Sequence, residues 1–203
     1  MAGRTAWPSE LVSRTVPRYP ALTLPLPDWM PAASQSGSQT LSGGLLRLAG
    51  SSGTLALRTL GVDLNAHEVV AFTAGFSADS SAGINVGISL KDDPGNFGVA
   101  VFQTSTGQPT AMLRLLGSGQ PDVAIPYILA GIDLTRRRDL TIAVGRSDKS
   151  VWLLQDDQVV HHDVYPQLRL GVVRGVLDAA ISPPSGQTRE LRVSRLSLRT
   201  ETM

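Results

Sequence analysis

From Leu41 onward the chain runs as short stretches in which apolar and polar residues alternate, closed by clusters of Gly, Pro, Asp, Asn and Ser. Alternation with period two predicts strands with one buried face, and the polar closures predict tight turns. The stretch from Leu140 to Val164 shows this best. Leu140, Ile142 and Val144 point one way, and Thr141, Ala143 and Gly145 the other. Ser147-Asp148-Lys149-Ser150 then turns the chain into a return strand led by Val151-Trp152-Leu153-Leu154. A second turn at Gln155-Asp156-Asp157-Gln158 leads into extended chain from Val159 to Val164. Such a three-strand meander needs a second layer to bury its apolar face.

The same pattern recurs before and after it. Leu45 to Leu48, a turn at Gly50 to Gly53 and Thr54 to Leu60 read as a first hairpin. Val70, Phe72, Ala74 and Phe76 point inward, as do Ile84, Val86, Ile88 and Leu90 on the next strand. Lys91 to Asn96 is a strong breaker, and Phe97 to Gln103, Thr110 to Leu116 and Val123 to Leu129 continue the series. Later come Leu168 to Val173, Val176 to Ile181 and a last strand from Arg189 to Arg199. In that last strand Leu191 and Val193 are out of phase with Leu196 and Leu198, which predicts a β-bulge at Ser194-Arg195. A turn near Asp63 to His67 is the sole helical candidate. Closely spaced strands with turn chemistry between them predict an all-β sandwich or barrel.

Residues 1–33 break the pattern. Pro8, Pro17, Pro20, Pro25, Pro27 and Pro31 fall here together with Trp7 and Trp29. Proline removes donors and biases its predecessor toward extended backbone, so an extended arm is expected rather than a helix or central strand. Its apolar residues exceed what a solvated linker carries. Trp7, Tyr19, Leu22, Leu24, Leu26 and Trp29 therefore suit a surface, either that of the chain's own sandwich or that of a neighbour. The polar spacer from Ala33 to Gln39 marks the boundary, giving an arm over 1–33 and a sandwich over 34–203.

Composition narrows the chemistry. The 203 residues suffice for one core of sandwich size. A formal net charge of +1 argues against a nucleic-acid partner. The chain has no cysteine, which removes disulfides, thiolate metal sites and cysteine nucleophiles. Prolines interrupt every apolar run near the N-terminus, and no later run approaches a membrane span, so a soluble product without a cleaved signal peptide or membrane insertion is expected.

The core resembles the concanavalin A-like (laminin G-like) jelly-roll family. Three segments carry the resemblance: Ala82 to Ile88 with Asp92 to Phe97 behind it; Leu134-Thr135 through Arg138 to Val144; and Val151 to Val160, with Asp157 where that family usually has glycine. The closing strand from Leu191 to Leu198 is also typical in position. The resemblance covers about residues 40 to 200 and implies an all-β jelly-roll β-sandwich of two antiparallel sheets. It implies no single activity, because lectins, carbohydrate-binding modules, glycosidases and virion proteins share this fold. An arm joined to such a sandwich, in an arginine-rich and cysteine-free chain, is also similar to minor structural proteins of actinobacterial bacteriophages.

Candidate chemistry is sparse. A glycosidase needs two carboxylates roughly 5–9.5 Å apart. The four glutamates, Glu10, Glu68, Glu190 and Glu201, are not paired on a strand, and the aspartates pair chiefly at turns. His161-His162-Asp163 offers only His161 and Asp163 on one strand face, too few ligands for zinc. Asp92, Asp93 and Asn96 supply about half of the six to eight oxygens that calcium requires. Arg136, Arg137 and Arg138 form the sharpest charge run, with Asp133 and Asp139 beside them, and are candidates for contact with a ligand or partner. Tyr127 and Tyr165 are the loop-edge aromatic candidates for sugar contact. No cofactor, metal or catalytic residue is expected. The expected function is that of a non-enzymatic virion component, made in the host cytoplasm, whose arm contacts other virion proteins or copies of itself. The alternative is a carbohydrate-binding module for a cell-surface glycan.

Overall fold

A computed structural model describes residues 38–42, 45–59, 61–103, 111–125 and 133–201. Among them there are fourteen strands and no helix: β1 Ser38–Ser42, β2 Leu45–Gly50, β3 Gly53–Arg58, β4 Val62–Asp63, β5 Val69–Ala78, β6 Ile84–Lys91, β7 Gly98–Gln103, β8 Ala111–Leu116, β9 Val123–Ile125, β10 Arg138–Gly145, β11 Ser150–Gln155, β12 Gln158–Val164, β13 Val172–Ile181 and β14 Arg189–Glu201. They form two antiparallel sheets. The first has the order β1-β2-β14-β5-β10-β11-β12, and the second β3-β13-β6-β7-β8-β9, with β4 also paired to β13.

One hydrophobic core lies between the sheets, and the inward residues are those the alternation selects. Val70, Phe72, Ala74 and Phe76 of β5 meet Ile84, Val86, Ile88 and Leu90 of β6 in the same cluster as Leu140, Ile142 and Val144 of β10. Phe72 and Phe76 are wholly buried. Each large side chain so buried contributes about 1.5–3 kcal/mol before ordering costs. The meander forms as expected, with β10 paired to β11 and β11 to β12. The turn between β11 and β12 places Asp156 and Asp157 at φ 52° and 65°. Both central residues of a two-residue hairpin turn take this left-handed conformation, which Asp tolerates.

The predicted bulge is present: β14 shifts register against β5 between Val193 and Arg195, and Leu191, Val193, Leu196 and Leu198 all enter the core. Three expectations are corrected. β2 and β3 do not pair as a hairpin; the chain changes sheets at residues 51–52, because β2 bonds β1 and β14 while β3 bonds β13. The segment 168–181 holds one strand, not two, since β13 runs unbroken through Gly175. Asp63 to His67 forms a turn without a helix, closed by the Ala66 N–H on the Asp63 carbonyl at 3.0 Å. β1 takes in the last residues of the segment read as a spacer, while the arm over 1–33 lies outside the described residues.

Candidate functional site

The two sheets present unlike outer faces, and the second sheet carries the open one. Its outward residues are Thr54 and Ala56 on β3, Asp178 and Ala180 on β13, Asn85, Gly87, Ser89 and Lys91 on β6, Ala100 on β7, and Arg114 and Leu116 on β8. Strand pairing sets them in rows. Ala56, Asp178 and Gly87 lie side by side, as do Ser89, Ala100 and Arg114. Glycine and alanine make the middle of this surface low, and longer side chains rise around it. The result is an open groove of about 510 Å³ running across five strands.

Polar groups border the small-residue floor. The Lys91 ammonium donates to Asp178 Oδ2 at 2.9 Å. The Arg114 guanidinium donates through Nε and Nη2 to the two oxygens of Asp122 at 2.8 and 2.7 Å. That fork holds the Asp122 carboxyl below its usual range and raises Arg114 further. Beyond the groove end, Asp93 accepts from Arg174 at 2.6 Å and from Arg58 at 3.1 Å. The Arg174 hydrogen bond holds the Asp93 carboxyl down. Ser89 is 2% exposed, and its hydroxyl has no hydrogen-bond partner among the described residues. A buried hydroxyl without a partner costs stability. Among the described residues lining the groove, Asp178 is the one carboxylate and there is no aromatic ring.

The residues singled out from sequence fall elsewhere. Tyr165 is not a surface aromatic: it belongs to the main core, 6% exposed, with its hydroxyl 2.8 Å from His161 Nε2. Burial pushes the Tyr165 hydroxyl up to about 12 and His161 below its ordinary value. Its place at a strand end concealed this, because the chain folds back there and the Tyr165 N–H bonds the Lys149 carbonyl. Tyr127 and the arm residues Trp7, Tyr19, Leu22, Leu24, Leu26 and Trp29 lie outside the described residues. The arginine run does not act as one patch. Arg137 donates to Asp139 at 3.1 Å and Arg138 to Asp156 at 2.7 Å, while Arg136 is 81% exposed and 3.7 Å from Asp133. None of the three lines the groove.

The possible metal loops are engaged by protein donors. Asp92 accepts from the Phe97 N–H at 3.0 Å, and Asp93 holds its two arginines. His162 stacks on Trp152 with ring centroids 4.9 Å apart and planes 11° apart, on the opposite side of β12 from His161. Among the described residues no three His, Asp or Glu side chains converge on a metal position. The sequence held one sign of the groove in its small outward residues on β6, Gly87 and Ser89. Only the pairing of β6 with β13 and β7 places Ala56, Ala100 and Asp178 beside them.

No family model and no curated protein matches the chain. Solved structures do. The carbohydrate recognition domain of Emp47p superposes with a TM-score of 0.67 at 14% identity, over 95% of this chain and 93% of that one. A Bacillus licheniformis β-glucanase gives 0.57 at 12% identity, over 86% and 92%. A sialidase gives 0.60 at 9% identity, over 85% of this chain but only 17% of its own length. These likenesses establish the concanavalin A-like jelly-roll fold.

Proposed function

We propose that this chain is a carbohydrate-binding module without hydrolytic activity, and that its ligand lies in the groove of the second sheet. The observation that carries the reading is the groove itself: an open depression with a small-residue floor and hydrogen-bonding groups along its border. Its cations already have carboxylate partners, which suits an uncharged ligand rich in hydroxyls over a phosphate or a polyanion. One carboxylate on the groove, engaged by Lys91, falls short of the pair that glycoside hydrolysis employs. The named carbohydrate recognition domain among the structural neighbours supports the same reading at the level of fold.

The test is a glycan array probed with the full chain, followed by titration calorimetry on the hits. Ala100 faces outward between Ser89 and Arg114, so Ala100→Trp fills the groove. Binding at least about tenfold weaker in that variant, roughly 1.4 kcal/mol, with an unchanged circular dichroism spectrum supports the assignment. A folded variant that binds as well as the parent sinks it.

A role in a phage particle is a second reading, motivated by the apolar, proline-rich sequence of residues 1–33. There the sandwich would be the projecting glycan-contacting module, with the leading segment making contacts to the particle. Immunogold labelling of purified particles tests it, and a protein found only free in the lysate removes it.

A further inference from the structure

The outer face of the first sheet carries a second apolar cluster: Val69 and Ala71 on β5, Ala143 on β10, and Trp152 and Leu154 on β11. All five are between 0 and 2% exposed, although they point away from the main core. The Trp152 ring reaches across β10, its Cζ3 lying 3.1 Å from where Gly145 would carry a Cβ, and one edge of the patch is closed by His162. The ring stacks one face on His162, and at 1% exposure its remaining surface is covered too. Thr73, Thr141 and Arg199 extend the covered area toward β14, at 1%, 2% and 5% exposure. Yet among the described residues the cluster draws on strands of this sheet alone.

We infer that the chain's own leading segment, residues 1–37, docks across this face and lays Leu22, Leu24 and Leu26 over Trp152 and Leu154. The segment enters the fold at Ser38, the start of β1, which is an edge strand of this same sheet. From β1 to β11 is five strand steps, or about 24 Å at ~4.8 Å per step. Leu26 stands twelve residues before Ser38, and twelve extended residues reach up to ~40 Å at ~3.3 Å per residue. Leu22, Leu24 and Leu26 recur at every second position with Pro25 and Pro27 among them. Such a sequence favours extended backbone and so sets the three leucines on one side. Its prolines cannot complete a strand ladder, so the segment lies over the sheet face instead of lengthening an edge. The first sheet is then closed by its own chain, and the second sheet keeps the open groove.

The absence of cysteine makes the test direct. In the full chain, His162→Cys is combined in turn with Leu22→Cys, Leu24→Cys and Leu26→Cys and treated with a short bismaleimide at low protein concentration. A cross-link within the monomer in at least one pair is the expected result. Cross-links confined to dimers mean that a second copy supplies the cover, and they overturn the proposal, as does the absence of any cross-link. Independently, Trp7→Phe with Trp29→Phe leaves Trp152 as the single tryptophan. Replacing Leu22, Leu24 and Leu26 by Ser in that background should raise acrylamide quenching of Trp152 several-fold. Quenching that stays low overturns the proposal.

Discussion

Gly175 lies in the middle of β13, where a glycine between two apolar runs reads as a break in the chain. The structure gives it another purpose. A Cβ at this position would sit 2.2 Å from Phe72 Cδ2 and 2.5 Å from its Cγ, so the missing side chain is the space that the Phe72 ring occupies. Gly175→Ala should therefore cost about 1–3 kcal/mol through overpacking. In a domain of this size that lowers the melting temperature by roughly 2–12 °C. Phe72→Leu in the same chain should recover part of the loss, and strictly additive melting shifts would show that the two do not share that space. A second residue-scale prediction concerns His161, whose folded-state pKa burial holds below 6.5, with the neighbouring Asp163 charge acting the other way. As pH falls, the unfolded chain takes up the proton first. The stability this gives is full above pH 6.5 and is lost as pH falls through the folded-state value. His161→Gln keeps a polar group near the Tyr165 hydroxyl and removes the titration. Its unfolding free energy should fall less between pH 7 and pH 5 than that of the parent, and parallel profiles would rule the effect out. Neither residue's role is legible in sequence, because each is defined by a neighbour far along the chain or by a fold-back of the backbone.

At the scale of elements, strand β14 shows what a one-residue insertion does. Four apolar residues reach the core only because Ser194 is accommodated without a partner between Val193 and Arg195. The bulge also sets Arg195 opposite Gly75, where its guanidinium meets Asp139 at 2.8 Å on the outer face. Deleting Ser194 would force either Leu191 and Val193 or Leu196 and Leu198 out of the core. At about 1.5–3 kcal/mol each, that is some 3–6 kcal/mol from a domain whose whole stability is about 5–15 kcal/mol. The deletion should yield a chain without a cooperative thermal transition, whereas Ser194→Ala should melt within a few degrees of the parent. A deletion variant that melts normally would mean that the phase slip is absorbed elsewhere. Elements of this kind were legible because phase is a local property of the sequence. The exchange of sheets between β2 and β3 was not, since a hairpin and a sandwich corner share the same Gly-Ser-Ser-Gly turn chemistry. Pairing partners from distant strands decide between them.

At the scale of the whole molecule, charge among the described residues bordering the second sheet's outer face is held as ion pairs rather than as a field. Four cations border or adjoin the second sheet's outer face, Arg58, Lys91, Arg114 and Arg174, and each has a carboxylate within 3.1 Å. Such part-exposed pairs are worth about 0–1 kcal/mol each, so they contribute little to stability. Their consequence is for ligands, because a groove whose cations are already neutralised gives an anion little to gain. The sequence shows a balanced total, but which charges neutralise which follows only from the pairing of β6, β8 and β13 with their neighbours. Binding of a neutral glycan in this groove should then be nearly indifferent to salt, changing less than about twofold between 0.05 and 0.5 M sodium chloride. Calorimetry at the two concentrations reads this directly. An affinity that falls tenfold or more would mean that Lys91 or Arg114 leaves its carboxylate to take a negative group, and the ligand class would be acidic sugars. Asp178→Asn separates the cases further. It frees Lys91 from its partner, so a neutral ligand should bind it much as it binds the parent, while an acidic ligand should bind it more tightly and with a steeper dependence on salt.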